Sequence, residues 1–272
     1  MIRIETDAGW TLVEHREHAR LAGRLAAHWG NADFAAPEPR DEILEAVFHH
    51  DDAWAARDSD PRLTPQGRPS AFSEELVGKY SAFEEIDLAD YLAVRGRAAE
   101  AVAADNPYAA AIISMHTVDL LTRQADLSGL AKSDLALHRE FIDGQRRRQL
   151  ELIGVAAGRM PADAVAPERL LRAFEFLQAC DSLSLAVCVR FPRPIALQHK
   201  HPRRDGTLAG LQCIPLGNDV YRVEPFPFDT DVLRLEVPCR EVPKGKLSDE
   251  AEFRSAYHGA PIGRLEFQFL RF

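Results

Sequence analysis

The sequence predicts a mainly α-helical α+β protein, in which a helical bundle carries a small antiparallel β-sheet formed by the C-terminal region and the N-terminal strand. Apolar residues recur at helical spacing from about residue 14 to residue 190. Short alternating runs bounded by turn residues occur before residue 14 and after residue 207. The chain has 272 residues, of which 46% are hydrophobic and 28% charged, so it can bury a large core.

Helix boundaries follow from apolar spacing and from two prolines at helix starts. Pro107 and Pro167 both suit the first turn of a helix, where the missing N–H costs nothing. The stretch 58–78, with three prolines and two glycines, is predicted to be a long loop of the kind that is often functional. Helices are expected near 14–29, 40–57, 88–105, 107–125, 132–157 and 167–190.

Strands are expected where apolar and polar residues alternate between turn signals. The turns are indicated at 7–9, at Gly217-Asn218 and at 229–231. The predicted strands are 2–4, 10–13, 208–215, 220–225, 232–237 and 264–270, and a short helix is expected over 249–258. We therefore expect a single domain over 1–272, with its helical core at 14–190 and its sheet at 1–13 and 207–270.

Charge and cysteine usage narrow the classes of partner. A net charge of −9 argues against a general nucleic-acid binder, which needs a basic surface. The longest apolar stretch, 183–189, is too short to span a bilayer, and no signal peptide is expected. The four cysteines form no Cys-x-x-Cys pair, which fits reduced thiols in the cytoplasm. We expect a small-molecule substrate, no nucleic acid and no membrane; a homo-oligomer stays open.

Four residues that are costly to bury occupy positions on apolar helix faces: His18, His50, Asp51 and Asp181. An unpartnered imidazole or carboxylate in a core costs several kcal/mol, and one metal ion bound by all four would remove most of that cost. Each residue alone also fits a core hydrogen bond or an ion pair. Together, two imidazoles and two carboxylates suit divalent Mn, Fe, Ni or Zn. His15 lies off the apolar face of its helix and is expected to face solvent.

A fifth ligand candidate is His116, which follows Ile112 and Ile113 on one helix face. The candidate catalytic residues are Asp51, Asp52 and His116. His138 and His49 are weaker candidates, and their contribution stays open.

The order His … His-Asp … Asp resembles the HD-domain superfamily of helical metalloproteins. The resemblance implies that His18, His50, Asp51 and Asp181 are metal ligands and that 14–190 is an HD-like helical core. Some members of that superfamily hold two metals, using two further histidines in the interval where His116 and His138 stand here. The resemblance therefore implies one or two divalent transition-metal ions, Mn, Fe, Ni or Zn.

The finer pattern resembles an uncharacterised bacterial family, that of domain of unknown function 3891, to which no activity is attached. The residues that carry this resemblance are Glu17-His18-Ala19, Trp29-Gly30, the run His49-His50-Asp51-Asp52-Ala53-Trp54, Asp60-Pro61, Gly67-Arg68-Pro69, Met115-His116, the run 178–185 and Pro225-Phe226-Pro227-Phe228.

Three functions are compatible with these residues. Most enzymes of the HD resemblance are phosphohydrolases, which implies metal-dependent hydrolysis of a phosphorylated or nucleotide-like small molecule. A di-iron oxygenase is the first alternative, and it needs His116 and His138 as ligands. A non-catalytic metal-stabilised ligand-binding or interaction domain is the second. An anionic substrate needs cations, and the candidates are Arg57, Arg68, Lys79, Lys200 and Arg203.

Overall fold

The computed structural model describes residues 1–74, 87–244 and 249–271. The predicted helices at 14–29, 88–105, 132–157 and 167–190 are confirmed to within two residues at either end, and the helix starting at Pro107 continues into a π-helical turn at Leu120–Gln124. The helices are α1 (His15–Ala27), α2 (Arg40–His49), α3 (Ala55–Asp58), α4 (Leu88–Ala103), α5 (Pro107–Asp119), α6 (Lys132–Ala157), α7 (Pro167–Cys188) and α8 (Glu250–Gly259).

The predicted continuous helix 40–57 is broken in its middle. Helix α2 ends at His49, Asp51 leaves helical geometry with φ −118° and ψ 14°, and a 3₁₀ turn over Asp52–Trp54 leads into α3. The side chain of Asp51 is held by a buried ion pair with Arg95. Such tertiary contacts override local helix propensity. His50 and Asp51 therefore lie at a bend between two helices instead of along one helix face.

The strands of the described residues form one seven-stranded sheet in the order β1-β2-β6-β7-β5-β4-β3. Strands β5 and β7 pair in parallel, and the other neighbouring strands pair antiparallel. The strands are β1 (Ile2–Glu5), β2 (Gly9–Val13), β3 (Ile195–Pro202), β4 (Leu208–Gly217), β5 (Val220–Glu224), β6 (Val232–Pro243) and β7 (Ile262–Leu270).

The size and pairing of this sheet correct the predicted fold class. A helical bundle with a small antiparallel sheet, and the HD-like version of it, is wrong: the fold is α+β, with a curled, mixed sheet. Strand β3 is missing from the strands that the sequence predicts, because two of its inward positions are His199 and His201, which hide the two-residue period. Strand β6 runs on to Pro243 and pairs with β2, so the N-terminal hairpin joins the C-terminal strands.

The helices that carry the predicted ligands pack side by side. Helix α1 lies against α2 and α7, and α5 lies against α2, α4 and α7. Gly23 allows the close approach of α1 and α2, because a Cβ at that position would clash with the Phe48 ring. One cluster of buried residues includes Leu21 and Leu177 from the helices and Phe267 from the sheet. No helix of the described residues is both long and apolar enough to cross a membrane.

Candidate metal centre and its cavity

The four predicted ligand residues converge although they are far apart in the sequence. His18 Nε2 lies 3.3 Å from Asp51 Oδ2 and 3.5 Å from Asp181 Oδ1. His50 Nε2 lies 3.2 Å from Asp181 Oδ1 and 3.9 Å from Asp51 Oδ2. His18, His50 and Asp51 are buried, whereas the side chain of Asp181 keeps 16% exposure. Helices α1 and α7 and the bend after α2 thus direct two imidazoles and two carboxylates to one point.

Hydrogen bonds at the other ring nitrogen fix how the two imidazoles face this point. His50 Nδ1 lies 2.8 Å from the carbonyl of Val47, and His18 Nδ1 lies 2.9 Å from Ser184 Oγ. The Ser184 hydroxyl donates to the His18 carbonyl, so its oxygen accepts from the ring. Both Nδ1 atoms therefore donate, and in the neutral rings Nε2 presents a lone pair to the carboxylates.

Two lone pairs opposite two carboxylates call for a cation between them. Burial opposes the charged form of His50, but Asp51 and Asp181 outweigh burial and raise the pKa of His50 to about 9. Burial likewise acts to raise the pKa of both carboxyls. Arg95 and His50 outweigh it at Asp51, and His50 and His116 outweigh it at Asp181, so both pKa values lie below the usual range. Either a proton on His50 or a metal ion satisfies this arrangement.

Arg95 belongs to this site although sequence reasoning missed it. Its Nη1 donates to Asp51 Oδ1 at 2.6 Å, and its Nε donates to the Tyr91 hydroxyl at 3.0 Å. Its guanidinium carbon lies 5.4 Å from the centre of the Trp54 ring, and the residue is buried. A signal did exist, since Arg95 interrupts the apolar face of α4 between Tyr91 and Ala98.

His116 adds a nitrogen on the far side of Asp181. Its Nε2 lies 3.7 Å from Asp181 Oδ2, and its ring packs edge-on against His50. Its Nδ1 is buried without a hydrogen-bond partner among the described residues. Burial lowers the pKa of His116 to about 4, so the ring is neutral at pH 7. His50, His116 and Asp181 therefore form a second group of metal-ligand type beside the group of His18, His50 and Asp51.

His15 is a second residue that the sequence placed wrongly. It was expected to face solvent, but it is 2% exposed, and its ring stacks on Trp54 with 4.4 Å between the ring centres. Asp58 holds it from two sides: Oδ2 accepts the His15 backbone N–H at 2.6 Å, and Oδ1 lies 3.1 Å from Nδ1. Asp58 thereby satisfies an N–H of the first turn of α1, where Glu14 makes no side-chain cap.

A cavity of about 540 Å³ opens over these groups, a size that suits a small molecule. Its charged and imidazole lining residues are His15, His18, Asp51, Arg95, His116 and Asp181. The rest of the lining mixes apolar and polar side chains, among them Phe72, Leu120, Arg123, Gln124, Gln178 and Ile195. Both carboxylates, His18 and Arg95 thus border the cavity, whereas His50 is not part of its lining.

Comparison with known families accounts for most of this chain. The model of the family described as "Protein of unknown function (DUF3891)" matches residues 1–244. The chain belongs to this family. A search of curated proteins found no match, and neither did a search of solved structures.

Three other predicted residues of this DUF3891 member lie outside the cavity lining. Asp52 lies 2.8 Å from Arg20 and 2.6 Å from His49, so its carboxylate is bound away from the cavity. His138 Nε2 lies 2.9 Å from the carbonyl of Leu121, so this ring serves the core between α5 and α6. His49 and His138 belong to neither metal-ligand group of the described residues.

The four predicted substrate cations that the structure describes do not line the cavity either. Arg57 lies 3.6 Å from Asp90, Arg203 lies over the ring of Phe34, and Lys200 is exposed on β3. Arg68 forms part of the turn in which its backbone N–H reaches Thr64. Lys79 lies outside the described residues. Among the described residues, Arg95 and Arg123 are the arginines that line the cavity, and both lie on helical segments.

Proposed function

We propose that this protein is a metal-dependent hydrolase that acts on a phosphorylated or nucleotide-like small molecule. His18, His50, Asp51 and Asp181 are the proposed ligands of a divalent Mn, Fe, Ni or Zn ion. One observation carries the proposal: two Nε2 atoms face two carboxylates while both Nδ1 atoms are occupied elsewhere. Histidine ligands in metal sites are oriented by such Nδ1–H donation.

The spacing of the donor atoms supports a single ion. Ligand atoms ~2.1 Å from one ion lie ~3.4 Å from one another in a tetrahedral shell. The four nitrogen–oxygen distances between these residues are 3.3, 3.5, 3.2 and 3.9 Å. The imidazole-to-carboxylate distances are therefore in the range that one shared ion requires.

Once bound, a divalent ion acidifies a water molecule and polarises the bond to be hydrolysed. The residues of the chain do the rest. Arg95 holds the second oxygen of Asp51 and supplies a positive charge at the cavity wall. His116 is neutral and lies beside Asp181, where it either completes a second ion site with His50 or accepts a proton.

An anionic substrate is supported by two arginines of the cavity together with the proposed metal ion. Arg95 and Arg123 line the cavity, and a metal ion would offset the charges of Asp51 and Asp181, which line it too. The di-iron oxygenase alternative needs His138 as a ligand. The ring of His138 instead contacts the carbonyl of Leu121, in the π-helical turn after α5. This difference favours hydrolysis over oxygen chemistry.

The test is phosphate release by the full-length protein loaded with Mn, Fe, Ni or Zn. The substrates are p-nitrophenyl phosphate, bis(p-nitrophenyl) phosphate and a panel of nucleotides. We expect turnover with at least one metal, loss of turnover in Asp181→Asn, and retention in His49→Ala, whose ring lies outside the cavity. Tight metal binding without release from any substrate would contradict the proposal and favour a non-catalytic binding domain.

A further inference from the structure

The ring of His15 has an unused nitrogen beside the cavity. The residue lines the cavity and is 2% exposed, and its Nε2 is buried without a hydrogen-bond partner among the described residues. Its other nitrogen is occupied: the amino nitrogen of Met1 lies 2.6 Å and the carboxylate of Asp58 lies 3.1 Å from Nδ1. A buried polar atom without a partner costs free energy that a bound ligand would recover.

Arg95 reaches the same cavity from the opposite helix. Among the described residues its hydrogen bonds go to Asp51 and Tyr91 through Nη1 and Nε. A guanidinium carries five N–H groups in a planar fork, so donors remain for a ligand. His15 and Arg95 both contact the Trp54 ring, at 4.4 Å and 5.4 Å from its centre. One buried indole thus holds both donors in place.

We propose that His15 and Arg95 form an oxyanion-binding subsite beside the metal ligands, for a phosphate-type group of the molecule that occupies the cavity. The subsite deepens the proposed function and rests on its cavity. His15 contributes its Nε2–H, and Arg95 contributes the free part of its guanidinium fork. Asp58 is a positioning residue that accepts the His15 backbone N–H and a hydrogen bond from the Met1 amino group, which in turn lies against Nδ1.

The chemistry of both groups favours an oxyanion over a cation or an apolar group. The amino group of Met1 makes the shortest contact with Nδ1 of His15, at 2.6 Å. With that group as the donor, the proton of the neutral imidazole lies on Nε2, which is then a donor toward a ligand. Arg95 has donors only, and guanidinium groups match the geometry of phosphate oxygens. The carboxylates of Asp51 and Asp181 repel an anion, so we expect phosphate to bind more tightly after metal loading.

The experiment is calorimetric titration of inorganic phosphate into the full-length protein, zinc-loaded and zinc-free. The variants are His15→Phe, which keeps the stacking ring and removes Nε2, and Arg95→Lys, which keeps a cation for Asp51 and removes the fork. His28→Phe is the matched control, since His28 pairs with Asp229 and does not line the cavity. Zinc content and unfolding temperature are measured for every variant to verify folding.

We expect both cavity variants to weaken phosphate binding about tenfold, or ~1.4 kcal/mol, while His15→Phe keeps its zinc and His28→Phe behaves as wild type. Zinc retention with no phosphate binding, or with equal binding in His15→Phe and wild type, overturns the subsite and leaves the proposed function intact. A wild type that binds neither zinc nor Mn, Fe or Ni overturns the proposed function. The zinc-free titration then decides the subsite: weaker phosphate binding in His15→Phe supports it, and no binding overturns it.

Discussion

Asp51 divides its two carboxylate oxygens between Arg95 and His18. Arg95 Nη1 lies 2.6 Å from Oδ1, and His18 Nε2 lies 3.3 Å from Oδ2. The same carboxylate therefore links α4 to α1 and leaves one oxygen directed at the proposed metal position. This division explains how a buried arginine and a metal ligand share a residue without competing for the same atom.

Replacing either proposed aspartate ligand removes the metal. We expect Asp51→Ala and Asp181→Ala each to lower metal affinity by more than about 100-fold, because each removes a donor oxygen itself rather than its support. Asp52→Ala is the matched control, since Asp52 pairs with Arg20 and His49 outside the cavity. Metal content is measured by elemental analysis after dialysis. Metal that survives Asp181→Ala would contradict the four-ligand arrangement.

Ser184 supports the site without touching the metal. It accepts from His18 Nδ1 and donates to the His18 carbonyl, and it is fully buried. Removing such a partner of a histidine ligand costs about 10–100-fold in metal affinity, and we expect this loss in Ser184→Ala. Ser114→Ala, which removes a buried serine of α5 that bonds Gln145 outside the cavity lining, should keep wild-type affinity. The affinities are measured in competition with a chromogenic chelator. Equal metal affinities of Ser184→Ala and the wild type would show that Ser184 does not orient the His18 ring.

Metal affinity rises with pH in the range where His50 loses its proton. The pKa of His50 is raised to about 9, and a metal ion needs the unprotonated Nε2. Below that pKa each pH unit therefore lowers the apparent affinity about tenfold. Affinities measured at about pH 6, 7 and 8 test the slope. A pH-independent affinity would mean that no proton is displaced from His50.

The metal-free protein shows the opposite trend. The folded-state pKa of His50 lies above the ordinary histidine value of 6.5, so the protonated ring stabilises the folded state. This contribution is complete below about pH 6.5 and is lost as the pH rises toward 9. The free energy of unfolding after chelation should fall by up to about 3 kcal/mol over that interval, and His50→Gln should remove the fall.

We expect the buried His201 to lower the stability of the folded protein in acid. Burial lowers its pKa to about 4, and its Nε2 has no partner among the described residues. Because the unfolded chain binds a proton below about pH 6.5 and the folded chain does not, stability is lost from pH 6.5 down toward 4. His201→Phe should reduce that loss by roughly 2–3 kcal/mol, since the ring already packs against Trp29 and Phe176. The free energy of unfolding is measured by denaturant titration across this pH range. An equal loss in His201→Phe and the wild type would contradict the prediction.

The sequence predicted what depends on local periodicity. Apolar spacing predicted α6 and α7. The polar residues that interrupt apolar helix faces indicated His18 and Asp181 as site residues. The prediction failed where contacts between distant segments determine the local structure. The Asp51–Arg95 ion pair accompanies the break after α2, and the pairing of β2 with β6 enlarges the sheet.

The missed site residues have a similar cause. His15 lies off the apolar stripe of α1, and contacts with Trp54, Asp58 and Phe72 from later segments bury it. Arg95 carried a visible signal as a charge among apolar residues of α4, but its partner Asp51 lies 44 positions earlier in the chain. A sequence can show that a polar residue needs a partner without showing which residue supplies it.

The most direct test of the central claim is elemental analysis of the full-length protein purified without a chelating tag. We expect about one equivalent of Mn, Fe, Ni or Zn, lost in His50→Ala, because His50 faces both carboxylates. Two equivalents of iron would favour the oxygenase over the hydrolase. The absence of any metal, even after loading, would contradict the metal site itself and make these residues a hydrogen-bonded core network.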